Sequence, residues 1–180
     1  MLMIGHHRNT GFSMIEVLIT IVILMIGLLG LAGLQTKALT AQMEAYQRSQ
    51  ALILLKDMVD RISANRKNAL SYVTELNPAA SCPTAGATVA SVDLNEWCNA
   101  LLGAAEVQDT AKVGAMIGAR GCITQTVAPA SGVPSQYLVA VAWQGLNSTA
   151  IPAITCGQNQ YGNEALRRVV ALPVTIADLL

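Results

Sequence analysis

One carboxylate stands out among the residues whose chemistry depends on their surroundings. Glu16 is the single charged residue in the 23 residues from Phe12 to Leu34, a stretch that is otherwise almost entirely apolar. A carboxylate held in lipid needs a cation as its partner, because an unpaired one at the bilayer centre costs about 2.5–3.5 kcal/mol on insertion scales. We therefore treat Glu16 as the first candidate for a functional residue.

Histidine occurs only near the beginning of the chain. His6 and His7 are the only two histidines, and both precede the apolar stretch. A chain shortened to begin at Phe12 would contain none, which removes Ser-His and Cys-His nucleophilic catalysis and every His-ligated metal site. We therefore expect no enzyme activity, no metal and no cofactor. A membrane-anchored enzyme with a Ser-Lys pair is the alternative that this absence leaves open.

All four cysteines follow the apolar stretch, at Cys82, Cys98, Cys122 and Cys156. An even number in an exported domain indicates two disulfides, with three connectivities to choose from. Loop entropy does not decide between them. We expect Cys82–Cys98, which would tie a linker to a short helix, and Cys122–Cys156, which would tie a strand to the loop before the last strand. Disulfides place this part of the chain outside the cytoplasm.

Charge is balanced along the chain, with eleven basic and eleven acidic residues. A nucleic-acid-binding face needs a basic excess, and the basic residues of the C-terminal part are too few to argue for one. We therefore expect no nucleic-acid partner. The 180 residues leave room for one globular domain beside the apolar stretch.

A single helix is predicted from Phe12 to about Asn65. The apolar stretch would rise about 35 Å as a helix, which is enough to cross the hydrocarbon core of a bilayer. From Gln35 to Arg66 the chain contains no proline and no glycine. Glu44 with Arg48, and Asp57 with Arg61, have the i,i+4 spacing of helical ion pairs. The residues expected on one apolar face of this second half are Ala38, Ala41, Ala45, Leu52, Leu55, Val59 and Ile62.

The remainder predicts a small antiparallel sheet with one short helix. Residues 67–92 have the composition of a linker. Asp93 followed by Glu96 indicates a capped helix over 94–106 that buries Trp97. Strands are predicted over 121–127, 136–144 and 167–176, with the last at an edge because it contains Pro173. The predicted fold class is therefore α+β.

The sequence Gly11-Phe12-Ser13-Met14-Ile15-Glu16-Val17-Leu18 resembles the class III signal of type IV prepilins, and the glycine-rich end of the apolar stretch is similar to minor pilins of the PilV type. The resemblance implies a prepilin peptidase that cuts after Gly11 and methylates the amine of Phe12. It also implies that Glu16 docks the subunit by pairing with the terminal ammonium of a neighbour.

The boundaries expected on this basis are a leader over 1–11, a membrane-spanning assembly half of the helix over 12–34, an amphipathic half over 35–66 and a globular pilin domain over 67–180. The implied function is structural, in priming or capping a pilus. The implied partners are other minor and major pilins, the peptidase, an inner-membrane assembly platform and a tip adhesin. The chain would cross the bacterial inner membrane once, with its C-terminal domain in the periplasm, and would reach the cell surface in the pilus.

Two other members of this wider group remain as alternatives. A type II secretion pseudopilin has the same N-terminal signal, so the signal does not separate it from a pilin. A competence pilin that binds DNA would need a basic groove, for which Lys112, Arg120, Arg167 and Arg168 are the candidates.

The resemblance predicts cleavage between Gly11 and Phe12. The peptidase needs a small residue where the chain passes its active site, and glycine has no side chain there. N-terminal sequencing of the mature protein should therefore begin at Phe12. A mature terminus within residues 28–40 would instead indicate an ordinary signal peptidase and would contradict the prepilin interpretation.

Overall fold

The first helix, α1, spans Met14–Ala64, a length of 51 residues. Ser13 precedes it, and the carbonyl of Ser13 accepts hydrogen bonds from the N–H groups of Glu16 and Val17 at 3.0 and 3.3 Å. The structure, a computed structural model, describes residues 11–103, 107–108, 111–112, 114, 116–130 and 132–177. The chain divides into an N-terminal unit, 1–42, and a C-terminal unit, 43–180, and α1 contributes to both. The single long helix predicted from the sequence is therefore present.

A four-stranded antiparallel sheet forms the centre of the C-terminal unit. Its strands are β1 (Thr74–Leu76), β4 (Ile117–Val127), β5 (Ser135–Gln144) and β6 (Arg167–Ile176), in the spatial order β1-β4-β5-β6. Two short strands, β2 (Val107–Gln108) and β3 (Ala111–Lys112), pair separately. The three predicted strands are confirmed, and β6 lies at an edge. The interpretation of 67–92 as a linker was wrong, because this segment contains a 3-10 helix ending at Tyr72, strand β1 and the start of α2.

The inner face of the sheet packs against the second half of α1. Tyr137, Val139, Val141 and Trp143 alternate along β5 and are all buried in one core. The buried positions of α1 are Gln47, Ala51, Leu55, Met58 and Ile62. Leu52, which was predicted for this face, is instead 44% exposed. Leu52 follows the buried Ala51 by one residue, which turns it about 100° away from the buried line on a helix with 3.6 residues per turn.

The outer face of the sheet is covered by the loop between β5 and β6. Ala140 and Ala142 are buried there with Cys122, Cys156 and Tyr161. The Cys122–Cys156 disulfide joins β4 to this loop, and its Cα atoms lie 5.8 Å apart. Both faces of β5 are therefore buried, as its apolar residues on both sides predicted.

The second helix, α2, spans Val89–Leu101, so the predicted range of 94–106 was displaced. Its cap is Thr88, whose side-chain oxygen accepts a hydrogen bond from the N–H of Ser91 at 3.2 Å. Asp93, the predicted cap, lies inside the helix. The helix ends before Gly103, whose φ of 73° suits glycine and stops the helix; residues 104–106 lie outside the described part of the chain.

Arg61 joins the end of α1 to α2. Its guanidinium lies 2.9 Å from Asp57 on its own helix and 2.8 and 2.7 Å from Asp93 and Glu96 on α2. Tyr72 donates a hydrogen bond to the other oxygen of Asp93, and burial together with this bond raises the pKa of Tyr72 to about 12. Asp93 is therefore used to hold two helices together, which explains why it does not cap one. The predicted Asp57–Arg61 pair is present.

Replacing Arg61 by Met should lower the free energy of unfolding by about 2 kcal/mol, because Asp93 and Glu96 would lose their cation in a partly buried place. Lys56→Met is the matched control, since the Lys56–Asp60 pair has side chains that are 64% and 60% exposed. Exposed pairs contribute about 0–1 kcal/mol. Chemical denaturation of both variants measures the difference, and equal losses would contradict this role for Arg61.

Candidate functional site

The first half of α1 presents an exposed apolar surface with one charged residue, Glu16. Every residue from 14 to 34 is exposed, and this stretch is long and apolar enough to cross a membrane. Phe12 and Met14 are 85% and 92% exposed. Burying a side chain of this kind is worth about 1.5–3 kcal/mol. This surface must therefore be covered by lipid or by other protein.

The bond between Gly11 and Phe12 lies just outside the helix. Residues 11–13 precede the first helical residue, Met14, and all three are exposed. No described atom lies within 4 Å of the position that a side chain on Gly11 would take. Among the described residues, nothing obstructs an approach to this bond.

Glu16 lies in the first turn of α1 and is exposed. Its carboxylate forms no ion pair with any of the residues that the structure describes. The positive end of the helix dipole favours a negative charge at this position, although that effect is worth only about 0.3–1 kcal/mol. The carboxylate is thus left available for a cation from outside the described chain.

The second half of α1 is fastened to the domain by Glu44. One oxygen of its carboxylate accepts hydrogen bonds from the N–H groups of Leu146 and Asn147 at 3.1 and 2.9 Å. The same oxygen lies 3.3 Å from the guanidinium of Arg168 on β6. The predicted Glu44–Arg48 pair was therefore wrong. A tertiary site that offers two backbone donors and a cation binds the carboxylate more favourably than an exposed helical pair does.

Arg168 reaches Glu44 because Gly145 leaves space for it. A side-chain carbon on Gly145 would lie 2.7 Å from the central carbon of the guanidinium. Arg168 also donates a hydrogen bond to the carbonyl of Asn147 at 2.5 Å. We call Glu44, Arg168 and the backbone of 145–147 the Glu44 clamp. Burial alone would raise the pKa of Glu44, but the bonds from Asn147 and Leu146 and the charge of Arg168 outweigh it and lower the pKa.

Sequence reasoning missed this clamp because Glu44 and Arg168 are 124 residues apart. The only local signal was a turn-forming Gly-Leu-Asn sequence that follows a strand. Within the described residues, no group of three or more His, Cys, Asp or Glu side chains is arranged to hold a metal ion.

The disulfides are Cys82–Cys98 and Cys122–Cys156, with sequence separations of 16 and 34 residues. A long apolar N-terminal helix and a small antiparallel sheet with two disulfides define an α+β, pilin-like protein.

Comparison with known families is consistent with this class. Residues 33–105 match the family described as type IV pilin Tt1218, and residues 6–32 match the prokaryotic N-terminal methylation motif. No curated protein and no solved structure matches the chain. The two family matches support a type IV prepilin and indicate a structural protein rather than an enzyme. They imply pilin partners, processing by a prepilin peptidase, membrane anchoring and pilus assembly.

The Glu44 clamp predicts a pH-dependent contribution to stability. Because the folded-state pKa of Glu44 is lowered, its contribution is complete above the ordinary value of 4.5 and is lost as the pH falls through the folded-state value. Glu44→Gln should therefore lower the free energy of unfolding by about 1 kcal/mol at pH 7, with a smaller loss below pH 4.

Arg48→Gln is the matched control for this variant. Arg48 is exposed and forms no ion pair with the described residues, so its replacement should have little effect at either pH. Denaturation of each variant in detergent, at pH 7 and below pH 4, measures the change in the free energy of unfolding. A Glu44→Gln loss that stayed constant over this range would show that the carboxylate charge is not what the clamp uses.

Proposed function

We propose that this chain is a minor pilin of the PilV type, a structural subunit that joins a type IV pilus through the first half of α1. The observation that carries the proposal is the exposed apolar surface of this helical segment, whose single charge, Glu16 in the first turn, pairs with none of the described residues. An anchor that only crossed lipid would have no use for that carboxylate.

Processing by a prepilin peptidase would create the functional form. Cleavage after Gly11 removes residues 1–11 and leaves Phe12 as the first residue, with its amine then methylated. The open surroundings of Gly11 among the described residues support this step. The new ammonium would then lie four residues before Glu16.

Glu16 would dock each incoming subunit by binding the terminal ammonium of a neighbour. In a medium of low dielectric constant, a carboxylate and an ammonium attract each other much more strongly than they do in water. Side-chain packing also positions helices along one another, and an ion pair in lipid adds one strongly favoured position. The pair would therefore set the register of the subunit.

The C-terminal unit would be the part presented outside the membrane. Before assembly the chain would cross the inner membrane once through residues 12–34, with 35–66 and 67–180 in the periplasm. Its partners would be other minor and major pilins and the assembly platform, with a tip adhesin as a further one. Its role would be to prime or cap the filament.

A DNA-binding competence pilin finds less support. Arg167, one of the basic residues considered for a groove, is 1% exposed. It pairs with Glu164 and donates to the carbonyls of Pro152 and Cys156. Arg168 is held in the Glu44 clamp. Both cations are therefore used inside the chain rather than offered to phosphate.

Replacing Glu16 by Ala should leave processing and membrane insertion intact but remove the chain from filaments. The substitution makes the segment more apolar, so insertion does not suffer, while docking loses its ion pair. Immunoblots of sheared filaments and of the membrane fraction separate the two effects, and we expect at least a tenfold loss from the filaments.

Thr20→Ala is the matched control, because among the described residues the hydroxyl of Thr20 bonds only to the carbonyl of Val17 in its own helix. This variant should assemble like the parent chain. Normal amounts of the Glu16→Ala variant in sheared filaments would show that the docking role is wrong.

A further inference from the structure

A groove of about 480 Å³ lies on the outer face of the sheet, between strand β1 and the loop that joins β5 to β6. Its floor contains Cys122 and Ala140 of the outer-face core, with Leu138 beside them, and Ile154 of the loop forms one wall. The Cys122–Cys156 disulfide joins the floor to the loop, so the shape of the groove is fixed within the folded chain. A preformed site loses less conformational entropy on binding than a site that has to be ordered.

Glu75 lies at the rim of this groove. It is directly opposite Cys122 in the pairing of β1 with β4, and residues opposite each other on two antiparallel strands lie on the same face of a sheet. The carboxylate is therefore on the outer face, beside the groove. Val73 also lines the groove and is 42% exposed. The rim thus combines one carboxylate with an aliphatic side chain two residues earlier, and we call the whole feature the Glu75 groove.

The carboxylate of Glu75 is exposed and forms no ion pair with any described residue. Every other described acidic residue of the C-terminal unit does form one, with Lys56, Arg61, Arg167 or Arg168. The residues of this unit that the structure does not describe include no Lys, Arg or His. A cation for Glu75 therefore has to come from outside the unit.

The position of β1 in the sheet leaves the rim of the groove accessible. In the order β1-β4-β5-β6, the only neighbour of β1 among the described strands is β4. An extended segment can therefore approach along the outer side of β1. Residues i and i+2 of such a segment point to the same side, which matches the spacing of Val73 and Glu75. The segment that fits has a Lys or Arg two residues from a large apolar side chain.

We propose that the Glu75 groove binds an extended segment of a different pilin subunit, with a Lys or Arg of that segment against Glu75 and a large apolar side chain in the groove beside Val73. The contact rests on the proposed function, since a chain that primes or caps a filament meets unlike subunits. An exposed ion pair is individually weak, but subunits whose helices are already side by side meet at a high effective concentration. The contact then selects which subunit lies next to this chain.

Photo-crosslinking of the full chain in cells tests this contact. Thr124 is exposed and lines the groove, so a diazirine amino acid at position 124 should crosslink to a different pilin. Mass spectrometry should locate the bond in a peptide that has a Lys or Arg two residues from a large apolar residue. Glu75→Lys should lower the yield about fivefold. Replacing the identified cation of the partner by Glu should then restore at least half of the yield, because a charge swap rescues only residues that face each other.

Asp60→Lys is the matched control, because it makes the same change of charge at an exposed carboxylate that does not line the groove. Its yield should equal that of the parent chain. Glu75→Gln removes the charge without reversing it and should lower the yield about twofold. Thermal unfolding of each variant checks folding, and Glu75→Gln decides the question if Glu75→Lys lowers stability.

The amount of chain in sheared filaments is measured in the same samples. This amount reports on the assembly function, whereas the crosslinked peptide reports on the groove. A crosslink to a second copy of this chain, a crosslink to a protein without a prepilin signal, the absence of any crosslink, or a charge swap that fails to restore the yield would each overturn the contact even if the chain is found in filaments.

Discussion

The continuity of α1 is the constraint on which the rest of the structure depends. One helix of 51 residues carries an apolar surface that the chain does not bury in its first half and a buried face in its second half. The two halves are therefore stabilised in different ways. The first half needs surroundings from outside the chain, whereas the second is held by the sheet, α2 and the Glu44 clamp. The domain contacts only one side of the second half of α1. Polar contacts such as the Glu44 clamp therefore add to the stability of that limited interface.

Those contacts rest on a few charged residues that the structure describes in the C-terminal unit. Glu44 accepts backbone N–H groups of the loop after β5, and Arg61 joins α1 to α2. Each connects elements that are far apart in sequence, and Cys122–Cys156 does the same for β4 and the covering loop. Directional polar contacts and disulfides add stability and specify which elements meet.

An element could be predicted from the sequence when the residues that stabilise it are close together in the chain. The long helix, β5 and β6 were predictable because their periodicity and their breaks are local. The displaced start of α2 and the Glu44–Arg48 pair were not, because Asp93 and Glu44 have better partners in Arg61 and Arg168, at distant positions in the sequence. The three-residue strand β1 is too short to carry a pattern and exists through pairing with β4. For the candidate site, the residues Gly11, Phe12 and Glu16 were identified by local sequence, and their proposed roles involve partners outside the chain.

The proposed function requires the same helical surface to be stable first in lipid and then among other helices. Both surroundings are apolar, so the transfer changes the hydrophobic contribution to the free energy only slightly. That small difference makes extraction from the membrane feasible, and it leaves the choice of register and neighbour to side-chain packing and polar contacts. Polar contacts add to specificity, because a charge that meets the wrong neighbour in lipid stays unpaired. Glu16 is the one charge along the apolar segment of α1. The other charges that can distinguish one neighbour from another are those on the domain surface that pair with no described residue.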